Sequence, residues 1–161
     1  MIVITVLIVI RPGPQDQTEA LFERIRGHIE SLELGELTAE IDDHYQIVAN
    51  VPELAEIKDL ADSRSAGTDA DPNAVFRETI RRQANLQGMQ QRQGGGKPTV
   101  AFTIHEVGAL EEDGTFTALI SFSVTGVRRM PTLTEHRFVL STHGWLLPKA
   151  LVRSHDPISL N

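Results

Sequence analysis

The chain has 161 residues, 40% of them apolar, and a formal net charge of −7. That length suits one domain or two small ones, with enough apolar side chains for a real core. The absence of cysteine excludes disulfides, thiolate metal sites and a cysteine nucleophile, and leaves the compartment open. The acidic balance repels polyanions everywhere except at a local basic patch.

Met1 to Ile10 is almost wholly apolar, with β-branched side chains at eight of ten positions. It is too short to span a bilayer as a helix, which takes about 20 residues. It also lacks the basic lead and the small-residue cleavage site of a signal peptide. The pattern predicts a central strand buried on both faces, the alternative being the remnant of a longer apolar segment. Arg11 to Pro14 stops it. Leu21, Phe22, Ile25, Ile29 and Leu32 then recur at helical spacing and predict a helix over 16–33. Asp16 is its expected cap, with Glu19 at capping-box spacing. Phe22 and Ile25 should face the core, and Glu23 and Arg24 water. Gly27 inside this helix costs about 1 kcal/mol relative to alanine, which a close approach to the sheet would explain.

Gly35 is read as the helix stop. Leu37 to Ile41 and Tyr45 to Val51 read as strands joined at Asp42-Asp43-His44, and Pro52 opens a short helix on Leu54, Ile57, Leu60 and Ala61. Residues 63–73 hold no large apolar side chain and read as a surface connection. Phe76, Ile80 and Ala84 predict a third helix over 73–91, broken by Gly94-Gly95-Gly96-Lys97-Pro98.

The last third reads as an antiparallel sheet. Its first strand is Thr99 to Val107, followed by a turn at Asp113-Gly114. Phe116, Ala118, Ile120, Phe122 and Val124 alternate with mostly polar residues, giving one core face and one wet face. Leu133 to Leu140 is the third strand, Thr142-His143-Gly144 a turn, and Trp145 to Val152 the fourth. Pro148 places that strand at an edge, Trp145 is the expected anchor for the sheet, and residues 153–161 are a tail. The expected fold is therefore α+β: a ferredoxin-like β-α-β-β-α first half, then a helix and an antiparallel β-meander. It forms a single compact domain over 1–161, with halves 1–62 and 74–152 and a linker at 63–73.

Little in the chain names a reaction. Gly94 to Pro98 lacks the spacing and the hydroxyl of a phosphate-binding loop. The six histidines, His28, His44, His105, His136, His143 and His155, show no metal-ligand spacing, so no metal and no cofactor are expected. Asp42-Asp43-His44 puts two carboxylates beside an imidazole, an acid/base pair or weak metal site if functional and a polar hairpin tip if not. His105 and Glu106 point to opposite faces of their strand. His28 reads as a core-edge histidine. Positive charge gathers at Arg77, Arg81, Arg82, Arg92 and Lys97, among glutamines that include Gln93. These residues are the candidate binding surface for RNA or a protein partner, against a solvated helix face with arginines paired to neighbouring acids.

Arg77-Glu78-Thr79-Ile80-Arg81, with Gly88, Arg92-Gln93 and Gly95-Gly96 at the same ungapped intervals, resembles the start of the fourth domain of the ribosomal translocase elongation factor G. The resemblance implies contact with ribosomal RNA through the glycine-rich tip. The layout of residues 1–63 is similar to that of the dimeric α+β barrel monooxygenases, which implies sheet-mediated dimers and a small aromatic substrate.

The leading expectation is a non-catalytic binding or assembly module, a subunit of a homo-oligomer or larger particle. Its partner would be another protein or a second copy of itself, and a membrane is not expected. A ribosome- or RNA-associated factor acting through residues 77–97 is the second reading. The third is a small-ligand enzyme of the dimeric α+β barrel type.

Overall fold

The structure, a computed structural model, describes residues 11–45, 52–126 and 135–158, with side chains for all of these except 52–57 and 157. It is an α+β fold with helices first and a four-stranded antiparallel sheet after them. The helices are α1 (Pro14–Glu30), α2 (Pro52–Ser65) and α3 (Pro72–Gln93), with a 3-10 helix at Leu34–Glu40. The strands are β1 (Thr99–Val107), β2 (Thr115–Thr125), β3 (Glu135–His143) and β4 (Lys149–Pro157), hydrogen-bonded in chain order as a meander.

Helix α1 starts earlier than its apolar stripe suggests. Gly13 is the cap and Pro14 the first residue, where a missing N–H costs nothing. Asp16 reaches back to accept the Gly13 N–H at 3.3 Å, so it serves the capping box from inside the helix. The helix lays Leu21, Phe22 and Ile29 on the sheet. Phe22 sits among Phe102, Phe122 and Phe138, with ring centroids 5.6, 6.2 and 5.0 Å away. The alternation expected in β2 is realised: Phe116, Ala118, Ile120, Phe122 and Val124 are all buried. They are in register with Leu140 on one side and with Ile104, Phe102 and Val100 on the other. Ile25 is only partly buried at the edge of this core.

Several expectations change. The strand expected at Leu37–Ile41 is a 3-10 helix. Local bonds win there: Thr38 Oγ1 donates to the Gly35 carbonyl at 2.8 Å and Glu36 N–H to Glu33 O at 2.9 Å. Only Ile41 makes a bridge, parallel to Val152 of β4. The strand at Met1–Ile10 and all but the first residue of the strand at Tyr45–Val51 lie outside the described residues. The described part of the expected ferredoxin-like unit thus contains its two helices and no strand at 37–41.

Gly27 does not approach the sheet, because a Cβ there would meet nothing within 4 Å. It is Gly88 that permits a close approach. A Cβ on Gly88 would lie 2.7 Å from the Leu32 carbonyl oxygen, so α3 crosses the end of α1 at a distance only glycine allows. Strand β3 runs on through Thr142 and His143, and the turn falls at residues 144–148 instead. Strand β4 extends through the expected tail to Pro157, with a register shift opposite Val139 and Leu140. Trp145 is 81% exposed at that turn and anchors nothing. Among the described residues, no helix is long and apolar enough to cross a membrane.

Candidate functional site

The arginines of α3 are largely engaged within the chain. Arg77 pairs with Asp43 and donates to the Thr38 carbonyl at 3.3 Å. Arg81 and Arg82 share one carboxylate, Glu78, at 2.7 Å each, which lowers the Glu78 pKa to about 2 through their hydrogen bonds. Arg92 donates to the Ser31 and Leu32 carbonyls at 3.3 and 3.4 Å, where α1 leaves free acceptors. Gln93 and Lys97 are exposed beyond it. The segment lies on one long helix and its end, and much of its charge holds α3 to the 3-10 helix and to the end of α1. An open groove of about 620 Å³ beside Arg92, lined by His28, Glu36, Asn85 and Met89, does not include Asp42, Ser141 or His143.

A second group of polar residues converges where the 3-10 helix meets the far end of β3. The Asp42 side chain is buried, 1% exposed, and its backbone is tied to β4 by Asp42 N–H to Val152 O at 2.8 Å. One carboxylate oxygen, Oδ2, accepts from Ser141 Oγ and lies 2.6 Å from His143 Nε2. The other, Oδ1, accepts the His44 N–H at 2.7 Å and has the His44 ring nitrogen 3.4 Å away. Ser141 and His143 are two apart on β3 and so share a side of the strand, with Ser141 Oγ 2.9 Å from the same Nε2. Thr142 between them points the other way, donating to Gln17 Oε1 of α1 at 2.7 Å. Gln17 in turn donates to the Pro12 carbonyl at 3.0 Å, so the end of β3 is braced against the start of α1.

The neighbouring Glu40 is also held by several partners. Glu40, 3% exposed, is ion-paired to Arg24 at 2.9 Å and to Lys149 at 3.6 Å, and has His28 Nε2 3.4 Å from its other oxygen. Arg24, expected in water, therefore ties α1 to the 3-10 helix, and Lys149 adds β4. His28 is half-buried at the edge of α1, with Glu40 beside its ring.

Burial by itself would raise the Asp42 pKa. The hydrogen bonds from Ser141, from the His44 backbone and from His143, with the charge of His143, together outweigh it and bring it down to about 2 from 3.8. The carboxylate is thus an anion at neutral pH and can only accept. When the His143 ring is neutral, it therefore presents Nε2–H to Asp42, and Nδ1 is the nitrogen left with a lone pair, on a side chain that is 50% exposed. The arrangement differs from a nucleophilic serine triad. There, serine and carboxylate sit on opposite ring nitrogens. Here Ser141 and Asp42 share one nitrogen and Ser141 is buried, so the hydroxyl braces the carboxylate and the open chemistry belongs to Nδ1.

Asp42 belongs to the Asp42-Asp43-His44 cluster singled out from the sequence, but its partners are not Asp43 or the His44 ring alone. His143 is hidden in the sequence because Thr142-His143-Gly144 looks like a turn. The one linear trace is the Ser141-x-His143 spacing on a strand, and nothing local links it to a carboxylate about a hundred residues earlier. Next to His143, the β3–β4 turn exposes Trp145, Leu146 and Leu147 by 81, 56 and 75%. Among the described residues, no group of three or more His, Asp or Glu side chains is arranged to hold a metal ion.

No family model matches the chain, and no curated protein does. Solved structures do. Aln2 from a Streptomyces species aligns over 90% of this chain and 91% of its own, at 16% identity and a TM-score of 0.51. A protein from Catenulispora acidiphila, solved in complex with S-DNPA, aligns over 88% of this chain and 90% of its own, at 16% identity and a TM-score of 0.53. At that identity the likeness establishes a shared α+β fold over nearly the whole length of all three chains.

Proposed function

We propose that this protein acts on a small organic ligand by acid–base chemistry at His143. The observation that carries the reading is the 2.6 Å contact of His143 Nε2 with the buried Asp42 carboxylate. The carboxylate holds the ring in one tautomer and one orientation. Nδ1 then takes a proton from the ligand, Asp42 stabilises the imidazolium, and the proton returns to the product. Such a positioned imidazole contributes roughly 10²–10⁴-fold. The exposed Trp145, Leu146 and Leu147 supply an apolar surface beside it for the rest of the ligand. The third reading of the sequence, a small-ligand enzyme, draws its support from this geometry.

The Catenulispora acidiphila protein of similar fold was solved with S-DNPA, so S-DNPA is the first probe. Trp145 is the chain's one tryptophan and reports on its own turn. Binding should change Trp145 fluorescence below about 1 mM ligand. His143→Gln should keep that binding while reducing turnover of any ligand that is transformed by about 100-fold. No Trp145 response to S-DNPA or to a panel of small aromatic compounds, with His143→Gln indistinguishable from the parent, would remove the reading.

Self-association is a second reading, and the same turn favours it. Three consecutive large apolar side chains in water mark an interaction surface more often than chance exposure. An RNA-associated role draws less support, because Arg77, Arg81 and Arg82 already face acids and Arg92 faces carbonyls.

A further inference from the structure

A second cluster of ionisable rings lies outside this site. His136 of β3 and His155 of β4 face each other with their Nδ1 atoms 3.4 Å apart and ring centroids 5.5 Å apart. His136 is 5% exposed. Phe138 packs on both rings, at 6.0 Å from His136 and 5.5 Å from His155. Tyr45 packs on His155 at 6.2 Å and stacks on Phe76 of α3 at 6.4 Å. Tyr45 closes the same short segment that begins at Asp42, and its N–H donates to the Asp42 carbonyl at 3.0 Å. Asp42 to Tyr45 is therefore fastened at two ends, by the His143 and Ser141 contacts at one and by the ring cluster at the other.

We infer that the His136–His155 pair is an acid-sensitive latch on the Asp42–Tyr45 segment, closed while the two rings carry at most one proton on their facing nitrogens. The geometry sets the rule. Two nitrogens 3.4 Å apart can share one proton between them, whereas two protons place like charges and two hydrogens in the same gap. Asp156 is the anion whose charge acts on both rings and favours their protonation. Tyr45 and Phe138 are the other rings in contact with the pair, with Phe76 behind Tyr45; burial raises the Tyr45 pKa to about 12, so none offers a charge at neutral pH. Burial, and then the charge of His136, bring the His155 pKa down to about 4 from 6.5, and burial lowers that of His136.

The sign follows from linkage. Well above 6.5 the rings are neutral whether the latch is open or closed. As pH falls from 6.5 toward 4, the open form takes up protons that the closed form refuses, and the latch loosens. Asp42 titrates at about 2 and stays an anion through that window, so the effect is separable from its own protonation.

The test uses backbone amide hydrogen exchange of the whole chain between neutral pH and pH 4, read as protection factors. Asp42, His44 and Tyr45 all donate to named acceptors, at 2.8, 2.7 and 3.0 Å, and report on the segment directly. Their protection should fall by up to about tenfold per pH unit across the window, while that of amides in the β1–β2 pair holds. His155→Phe and His136→Phe should abolish the fall, and His143→Gln should leave it in place. Imidazole NMR of the unsubstituted chain supplies a check that needs no variant: proton uptake by His136 or His155 must coincide with the loss of protection. Protection that persists to pH 4, is lost equally in both phenylalanine variants, or is lost without proton uptake by the pair would overturn the latch. Because these readouts involve no ligand, they fail or succeed independently of the acid–base reading of His143.

Discussion

Replacing Asp42 by asparagine would keep the shape of the side chain and remove its charge and one acceptor. Ser141 Oγ and the His44 N–H both donate to that carboxylate, and His143 relies on it for its tautomer. A buried donor left without a partner costs about 1–3 kcal/mol. Urea denaturation of Asp42→Asn should show a loss of that size, and a loss below about 0.5 kcal/mol would place Asp42 among ordinary surface residues. The pH dependence has a fixed sign. A carboxyl lowered from 3.8 to about 2 in the folded chain adds stability that is complete above 3.8 and is lost as pH falls through 2. At this scale the sequence reveals one half of the site. Asp42 stands out as an acid next to a histidine, but a contact between residues 42 and 143 leaves no local pattern. The cationic residues of α3 stand out for the opposite reason: Arg77 and Arg92 are spaced for contacts made within the molecule, and spacing alone does not distinguish these from contacts with a partner.

At the scale of elements, the regular strands are legible and the irregular ones are not. The strand expected at Thr99–Val107 is β1 to the residue, and the alternation from Phe116 to Val124 is β2, because period-two burial is written directly into side-chain type. The second half of the 3-10 helix at Leu34–Glu40 falls in the strand expected at Leu37–Ile41, because its apolar residues also fit one, and the Thr38–Gly35 bond that decides the matter carries no periodicity. The β3–β4 turn reads too early because Gly144 ends a polar triplet, whereas the strand continues until Thr142 has reached Gln17. Two glycines test the packing account as a pair. Gly27→Ala enters open space in the last turn of α1 and should stabilise by about 0.5–1 kcal/mol. Gly88→Ala meets the Leu32 carbonyl oxygen at 2.7 Å and should destabilise by about 1–3 kcal/mol, the overpacking cost exceeding the same helical gain. Equal thermal shifts for both would refute the close approach of α3 to the end of α1.

For the molecule as a whole, the arrangement matters more than any element. Helix α1, the 3-10 helix and β4 are locked by Glu40 with Arg24, His28 and Lys149, and the end of β3 is locked to α1 by Thr142 and Gln17. Asp42 and His143 meet because these two braces meet. The apolar turn beside them remains in water in a single copy. Trp145→Ser with Leu147→Ser should convert any self-associated form to monomer by light scattering without changing the melting temperature, since neither side chain packs in the core. A monomeric parent chain would leave the turn to a ligand.

The most direct test of the central claim is nitrogen-15 NMR of the His143 ring in neutral form, at about pH 9. The ring should show a single tautomer with the proton on Nε2, a bare Nδ1, and loss of that preference in Asp42→Asn. A proton on Nδ1, or an average of the two tautomers that Asp42→Asn leaves unchanged, would contradict it.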